Sequence, residues 1–512
     1  MSKLQMEQPN LPTTRLREKR LLLPLCLVVS AVMLAVCSKA SPLYPLNDWV
    51  DVNIYCTIGR GMFAGRVPYL DLYDQKGPVV YLVYGLFSLL SGRGYFGVWL
   101  LEVLCFAAFL YNAYRLLSLY TKSAILALPV LAGLILPAMS ISHGGSLEEI
   151  CLPVFGYGLY TTVAYFKNVY PQRPGMKMIF CNGLLAGLLL FAKFNLLAFY
   201  FAWMAWMAIT RFYQRDWKYG LACCGVFLGA MALTGVPWVI YFAQNGALPE
   251  FGYYYFYSNM FGYSYLEPPV LPNMLLAILK GTGASMLRNL QYTLLIGLGL
   301  GWITYLRQVG AKTVEKVNLW LLIAFMAAGA FMGGQGYRYY GIPLAVFATL
   351  GLAPLLRLWD RQVAPHIPVK TWAQASILAG LTVIGLGASL LTSSNTYLIG
   401  TPKLETPQYR FAAVMENERR EDTITLLCRA FPDSGFYRAA GVIPACRFFT
   451  STNVPLQEIA DEQVRQVEAG IPEFVVMRDR EDAPAAGYRR IDEASLLYED
   501  EIRTYYLYQR AE

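Results

Sequence analysis

Charge is scarce in this chain: Asp, Glu, Lys and Arg together make up only 15% of 512 residues, and there are two histidines. A soluble globule needs far more polar surface, whereas 56% of these residues are hydrophobic and the mean hydropathy is positive, which places the chain among polytopic membrane proteins. Histidine is too rare, and the ten cysteines too irregularly spaced, for a recognisable metal motif. Cys26, Cys37, Cys105, Cys151 and Cys181 fall in apolar runs, as small core residues do, and the adjacent Cys223 and Cys224 point to different sides of one helix. Only Cys428 and Cys446 share an expected extracytoplasmic region, where a disulfide between them is an option. Internal repeats and low-complexity tracts are absent. So is a nucleotide-sugar unit with an Asp-x-Asp motif, which argues for a donor that arrives by lipid.

The net charge of +8 does not describe a nucleic-acid groove. Lys and Arg fall in short clusters between apolar runs, the pattern that orients a membrane protein. Lys3, Arg15, Arg17, Lys19 and Arg20 precede an apolar segment from about 21 to 39, which reads as an uncleaved signal-anchor with a cytoplasmic tail at 1–20. Further apolar segments follow at 97–118, 122–142, 149–166, 178–192, 195–210, 219–243, 291–306, 319–334, 341–357 and 373–393. The basic clusters at 167–177, 211–218, 307–316 and 357–370 are expected in the cytoplasm, which places the loops at 142–149, 193–195, 250–269 and 333–341 outside. The short run at 79–90 fits a re-entrant or interfacial helix, with a full span and a different pairing downstream as the alternative. The expected fold is therefore an all-α polytopic membrane protein of eleven to thirteen crossings over 21–394, with a small extracytoplasmic α/β domain at 395–512. Strand-like "TITLLCRA", "EFVVMRD" and "TYYLYQR" and an amphipathic helix in "PLQEIADEQVRQVEAG" support that domain.

The first external loop, residues 40–78, holds Asp48, Asp51, Arg60, Arg66, Asp71, Asp74 and Lys76, more charge than a connector between apolar helices needs. Solvation and headgroup anchoring are the simplest uses of such charges. Asp48 and Asp51, three residues apart, would however share one helix face at the membrane boundary. Arg60 follows Asp51 by nine residues, so a proton-abstracting carboxylate and a phosphate-holding cation are expected in one site.

The order Asp51, Tyr55, "IGRGM" (58–62), "G-x-V-P-Y" (65–69) and "DQKGP" (74–78) resembles the first external loop of the GT-C membrane glycosyltransferases, in the branch of aminoarabinose transferase and the protein O-mannosyltransferases. The resemblance covers residues 20–170 well and the remainder in general layout. It implies that Asp51 is the catalytic carboxylate, with Asp48 as its rival, and that Arg60 and Lys76 hold the phosphate of a polyprenyl-phosphate sugar. It implies a second acidic position in the next external loop, here Glu148 or Glu149, for which a helix-capping role is the alternative. Arg338 in "GQGYRYYGIPL" falls where the family carries an aromatic or basic motif near the donor phosphate, although belt residues look the same; Tyr55, Tyr69 and Tyr340 are the candidate substrate contacts. Lys193 reads as a snorkelling lysine, and Glu102 and His143 receive no catalytic role. Val52, Gln75 and Gly77 depart from the family pattern, which leaves any divalent cation open.

The expected activity is inverting transfer of a sugar from a polyprenyl-phosphate donor to an envelope glycan, lipid or protein on the outer face of the plasma membrane, without nucleic acid. A transporter or flippase for lipid-linked sugars is the competing reading, which needs ionisable residues in mid-membrane. A non-catalytic scaffold leaves the first external loop unexplained.

Overall fold

The structure, a computed structural model, describes residues 14–262, 266, 270–306, 309–367, 371–452, 454, 456–498 and 501–511. The expected tail up to residue 13, parts of the 250–269 loop, and Arg307 and Lys370 of the basic clusters lie outside these residues. The apolar segment read as a signal-anchor is helix α1 (Thr14–Cys37). The charged segment after it folds into α2 (Val50–Phe63), a compact turn, and α3 (Pro78–Ser88), and is followed by α4 (Phe96–Leu117), a candidate membrane span.

Among the described residues, six helical stretches are long and apolar enough to span a bilayer: Phe96–Leu117, Phe194–Tyr213, Trp217–Gln244, Thr313–Phe331, Arg338–His366 and Trp372–Thr392. Shorter apolar helices at Leu21–Cys37, Pro78–Ser88, Ala124–Ile135 and Met176–Leu190 accompany them. The chain is a multi-pass membrane protein. In lipid the backbone must satisfy its own hydrogen bonds, and hence each apolar run is helical.

Three departures from the sequence reading have physical causes. The run at 122–142 is helical only over Ala124–Ile135, because Pro137 and the small residues after it favour turns. A helix absent from the expected set occupies Leu271–Arg288; Lys280 and its flanking glycines interrupt the hydropathy that would have marked it. The aromatic stretch read as loop winds through Phe251–Gly262 as a π-helix.

The C-terminal region is a small α/β unit. Its strands β1 (Leu426–Cys428), β2 (Phe474–Arg478), β3 (Tyr488–Tyr498) and β4 (Glu501–Arg510) form a sheet in the order β1-β2-β4-β3, with β1 parallel to β2 and the rest antiparallel. The amphipathic helix Gln457–Glu468 buries Ile459, Gln463 and Val467, one turn apart. Cys428 and Cys446 are both buried free thiols, so the disulfide is not formed; Cys428 packs instead against the Asp433 carboxylate.

Two contacts fix the external loop. At the α2–α3 crossing, a Cβ on Gly59 would lie 2.5 Å from the Gly85 backbone, so glycine at both positions lets the helices touch main chain to main chain. The C-terminal unit then grips this pair. Arg438, buried, donates from its guanidinium to the Gly94 carbonyl and to Ser88 Oγ, while Arg60 donates to the Gly441 carbonyl at 3.2 Å.

Candidate active site

Helix α2 carries Asp51 in its first turn. One turn on, the buried Tyr55 donates its hydroxyl to Asp51 Oδ2 at 3.0 Å, the i, i+4 geometry a helix provides. Burial raises the Tyr55 phenol far above its ordinary range, and the nearby carboxylates of Asp51, Asp74 and Glu148 add to the rise. Tyr55 is therefore a neutral donor that orients one Asp51 oxygen and leaves the other for chemistry.

The turn from Tyr69 to Gly77 presents Lys76. Tyr69 adopts a left-handed φ of 69° and donates its hydroxyl to the Lys76 carbonyl at 2.5 Å. The Tyr81 hydroxyl accepts the Lys76 amide and donates to Asp74 Oδ2, each at 3.0 Å. Tyr69 thus shapes the backbone of the lysine, which makes it a scaffold residue rather than a demonstrated substrate contact. Burial pushes Asp74 up, opposed by Lys76, and Lys76 Nζ stands 5.9 Å from the centre of the Tyr55 ring.

Gly77 explains one departure from the family pattern. Its amide donates to the Ala192 carbonyl at 3.0 Å, which a proline could not do, and a Cβ there would lie 1.9 Å from the Phe191 carbonyl oxygen. This main-chain contact carries the turn at 191–193 to the Lys76 turn. Lys193, read from sequence as a snorkelling side chain, is buried and paired with Glu148 Oε1 at 2.5 Å, and its ammonium lies 4.0 Å from the Tyr340 ring centre. The only sequence signal for it was a cation isolated between two short apolar runs.

Lys76, Lys193 and Tyr340 line one cavity of about 340 Å³ with Gln75, Asn195 and Gln335. Tyr255 and Asn259 of the π-helix close one side, and Asn259 donates to the Gln75 carbonyl at 2.7 Å. Gln75, where the family has an acid, leaves its side-chain oxygen unbonded. No group of three or more His, Cys, Asp or Glu among the described residues could hold a metal ion.

Other expected residues lie elsewhere. Nine residues along a helix is two and a half turns, which turns Arg60 to the opposite face from Asp51 and roughly 13 Å along the axis; its guanidinium faces Gly441 and is depressed by burial and by Arg438. Asp48 has no exposed surface and is paired with the buried Lys39 at 2.9 Å, with His143 Nδ1 at 3.9 Å. Trp49 and Tyr498 of β3 stack on the two sides of His143, at 5.7 and 5.6 Å. Arg338 is exposed at the start of its helical stretch, where its carbonyl accepts Ser140 Oγ. Glu149 is buried with both oxygens unbonded, and burial pushes its carboxyl up. Glu102, the mid-helix carboxylate on which a transport reading would draw, is fully buried and accepts from Ser38 Oγ and the Gly145 amide.

No family model and no curated protein matches the chain. Solved structures do. ArnT from Cupriavidus metallidurans, bound to undecaprenyl phosphate, superposes with a TM-score of 0.57 at 14% identity over 97% of this chain and 98% of that one; its apo form gives 0.58 at 15% over the same shares. The mycobacterial arabinofuranosyltransferase AftD gives 0.46 at 15%, over 96% of this chain and 40% of its own. From its first membrane helix to its C-terminal sheet, this chain has the fold of the GT-C membrane glycosyltransferases.

Proposed function

We propose that the protein transfers a sugar from a polyprenyl-phosphate donor to a hydroxyl of a cell-envelope acceptor at the outer face of the membrane. The observation that supports this reading is Tyr55, which donates to Asp51 and whose ring centre lies 5.9 Å from the ammonium of Lys76, a residue that lines one cavity with Lys193. The ArnT neighbour holds undecaprenyl phosphate, a ligand of the class this cavity would take. In the transfer, the acceptor oxygen bonds to the anomeric carbon as the bond from that carbon to the phosphate oxygen breaks. The acceptor proton passes to Asp51, and polyprenyl phosphate leaves with the bonding pair. Lys76 and Lys193 meet the charge that develops on the departing phosphate, and Glu148 holds Lys193 in place. One displacement by one base inverts the anomeric centre.

The test is release of polyprenyl phosphate by the purified full chain in lipid nanodiscs supplied with polyprenyl-phosphate sugars and envelope acceptors. Asp51→Asn should lower turnover by about 10²- to 10⁴-fold while polyprenyl phosphate still binds. Undiminished turnover in that variant removes Asp51 as the base.

A further inference from the structure

The helix Leu271–Arg288 was not foreseen from sequence, and its contacts fix where it lies. Near its start, Met274 lines the donor cavity with Met332 and Gly333. In its middle, a Cβ on Gly281 would lie 2.5 Å from the Phe331 ring, so this glycine permits close packing on the end of Thr313–Phe331. Near its end, Arg288 donates to the Gly336 carbonyl at 3.4 Å. These neighbours all fall within residues 331–336, the end of the Thr313–Phe331 helix and the turn after it. The helix therefore packs along that turn, at the end of a candidate span.

Its outer surface has two characters. Leu271, Leu275 and Leu279 repeat one turn apart and are exposed, as are Leu276 and Leu287, a pattern that seats a helix among acyl chains at an interface. Beside them is a groove of about 410 Å³ whose polar lining includes Lys280, Arg288, Ser285, Asn273 and Gln335, with no acidic side chain among the described residues. Lys280 has no hydrogen-bond or ion-pair partner among the described residues. Two cations in a groove flanked by exposed leucines match a phosphodiester joined to acyl chains.

We propose that this groove binds the headgroup of an anionic glycerophospholipid from the leaflet on the cavity side, as a site separate from the donor cavity although Gln335 lines both. Lys280 and Arg288 contact the phosphate, and the leucines receive the acyl chains. The site depends on the membrane placement of the fold and not on the transfer reaction, so its test is a binding measurement.

Native mass spectrometry of the full chain, titrated with phosphatidylglycerol, should show a saturable one-lipid adduct that phosphatidylcholine forms more weakly. A basic side chain beside anionic lipid is worth about fivefold in affinity, so Lys280→Gln with Arg288→Gln should bind about thirtyfold more weakly. Lys280→Gln alone, an exposed change that spares the fold, should give about fivefold. Unchanged phosphatidylglycerol affinity in both variants overturns the proposal. So does competition by millimolar inorganic phosphate as effective as that by the lipid, since the site would then read phosphate alone.

Discussion

At the scale of single residues, the two acids at the start of α2 have different work. Asp51 is half-exposed and oriented by Tyr55; Asp48 is sealed against Lys39. Removing one member of a buried ion pair strands the other in low dielectric, at a cost of about 3–5 kcal/mol. Asp48→Ala should therefore lower the thermal unfolding midpoint of the detergent-purified protein, and an unchanged midpoint would show that Lys39 finds another partner. In the C-terminal unit, burial raises the Asp433 carboxyl from 3.8 to about 6, against amide hydrogen bonds from Gly435 and Phe436. The sign follows from tighter proton binding in the folded state. The associated stability is present in full below pH 3.8 and is lost as pH rises through about 6, by at most about 3 kcal/mol. Hydrogen-exchange protection of residues 426–440 should fall over that window, and Asp433→Asn should flatten the dependence.

At the scale of elements, the segment from α2 to α3 is held by main-chain contacts that require particular residues. Gly77 is the clearest case, because the Lys76 and Lys193 turns meet at its amide. Gly77→Ala should force these turns apart, costing about 1–3 kcal/mol and weakening polyprenyl phosphate binding, which a lipid-binding titration would read directly; equal affinity would mean that the turns yield without moving the lysines. The membrane helices, strands β1, β2 and β4, and the order of charged residues in the first loop were legible because hydropathy and alternation are local signals. β3 was not: it begins "YRRIDEA", and its burial alternates poorly. Arg60 was misplaced by counting turns without their phase. Lys193 could not be recognised as part of the site, since only the Gly77 contact brings it there.

At the scale of the whole molecule, the C-terminal unit packs on the α2–α3 region and on His143 through Arg438, Gly441 and Tyr498. With the basic clusters in the cytoplasm, as the sequence leads one to expect, that unit is outside the cell. A membrane-impermeant thiol reagent should label Glu416→Cys in intact cells and Lys218→Cys only after lysis; the reverse pattern would invert the topology. Helices alone would leave α2 resting on α3 with its outer side open. The short helix Phe436–Ala440 of the C-terminal unit closes that side, and its buried Arg438 is the main peg.

The aromatic sandwich at His143 carries a consequence for biogenesis. Trp49 precedes Asp51 by two residues, whereas Tyr498 belongs to the β3–β4 hairpin. The stack therefore forms only after β3 has been synthesised and has reached the side on which α2 begins. A chain cut before that hairpin would keep its helices and lack this contact beside Asp51.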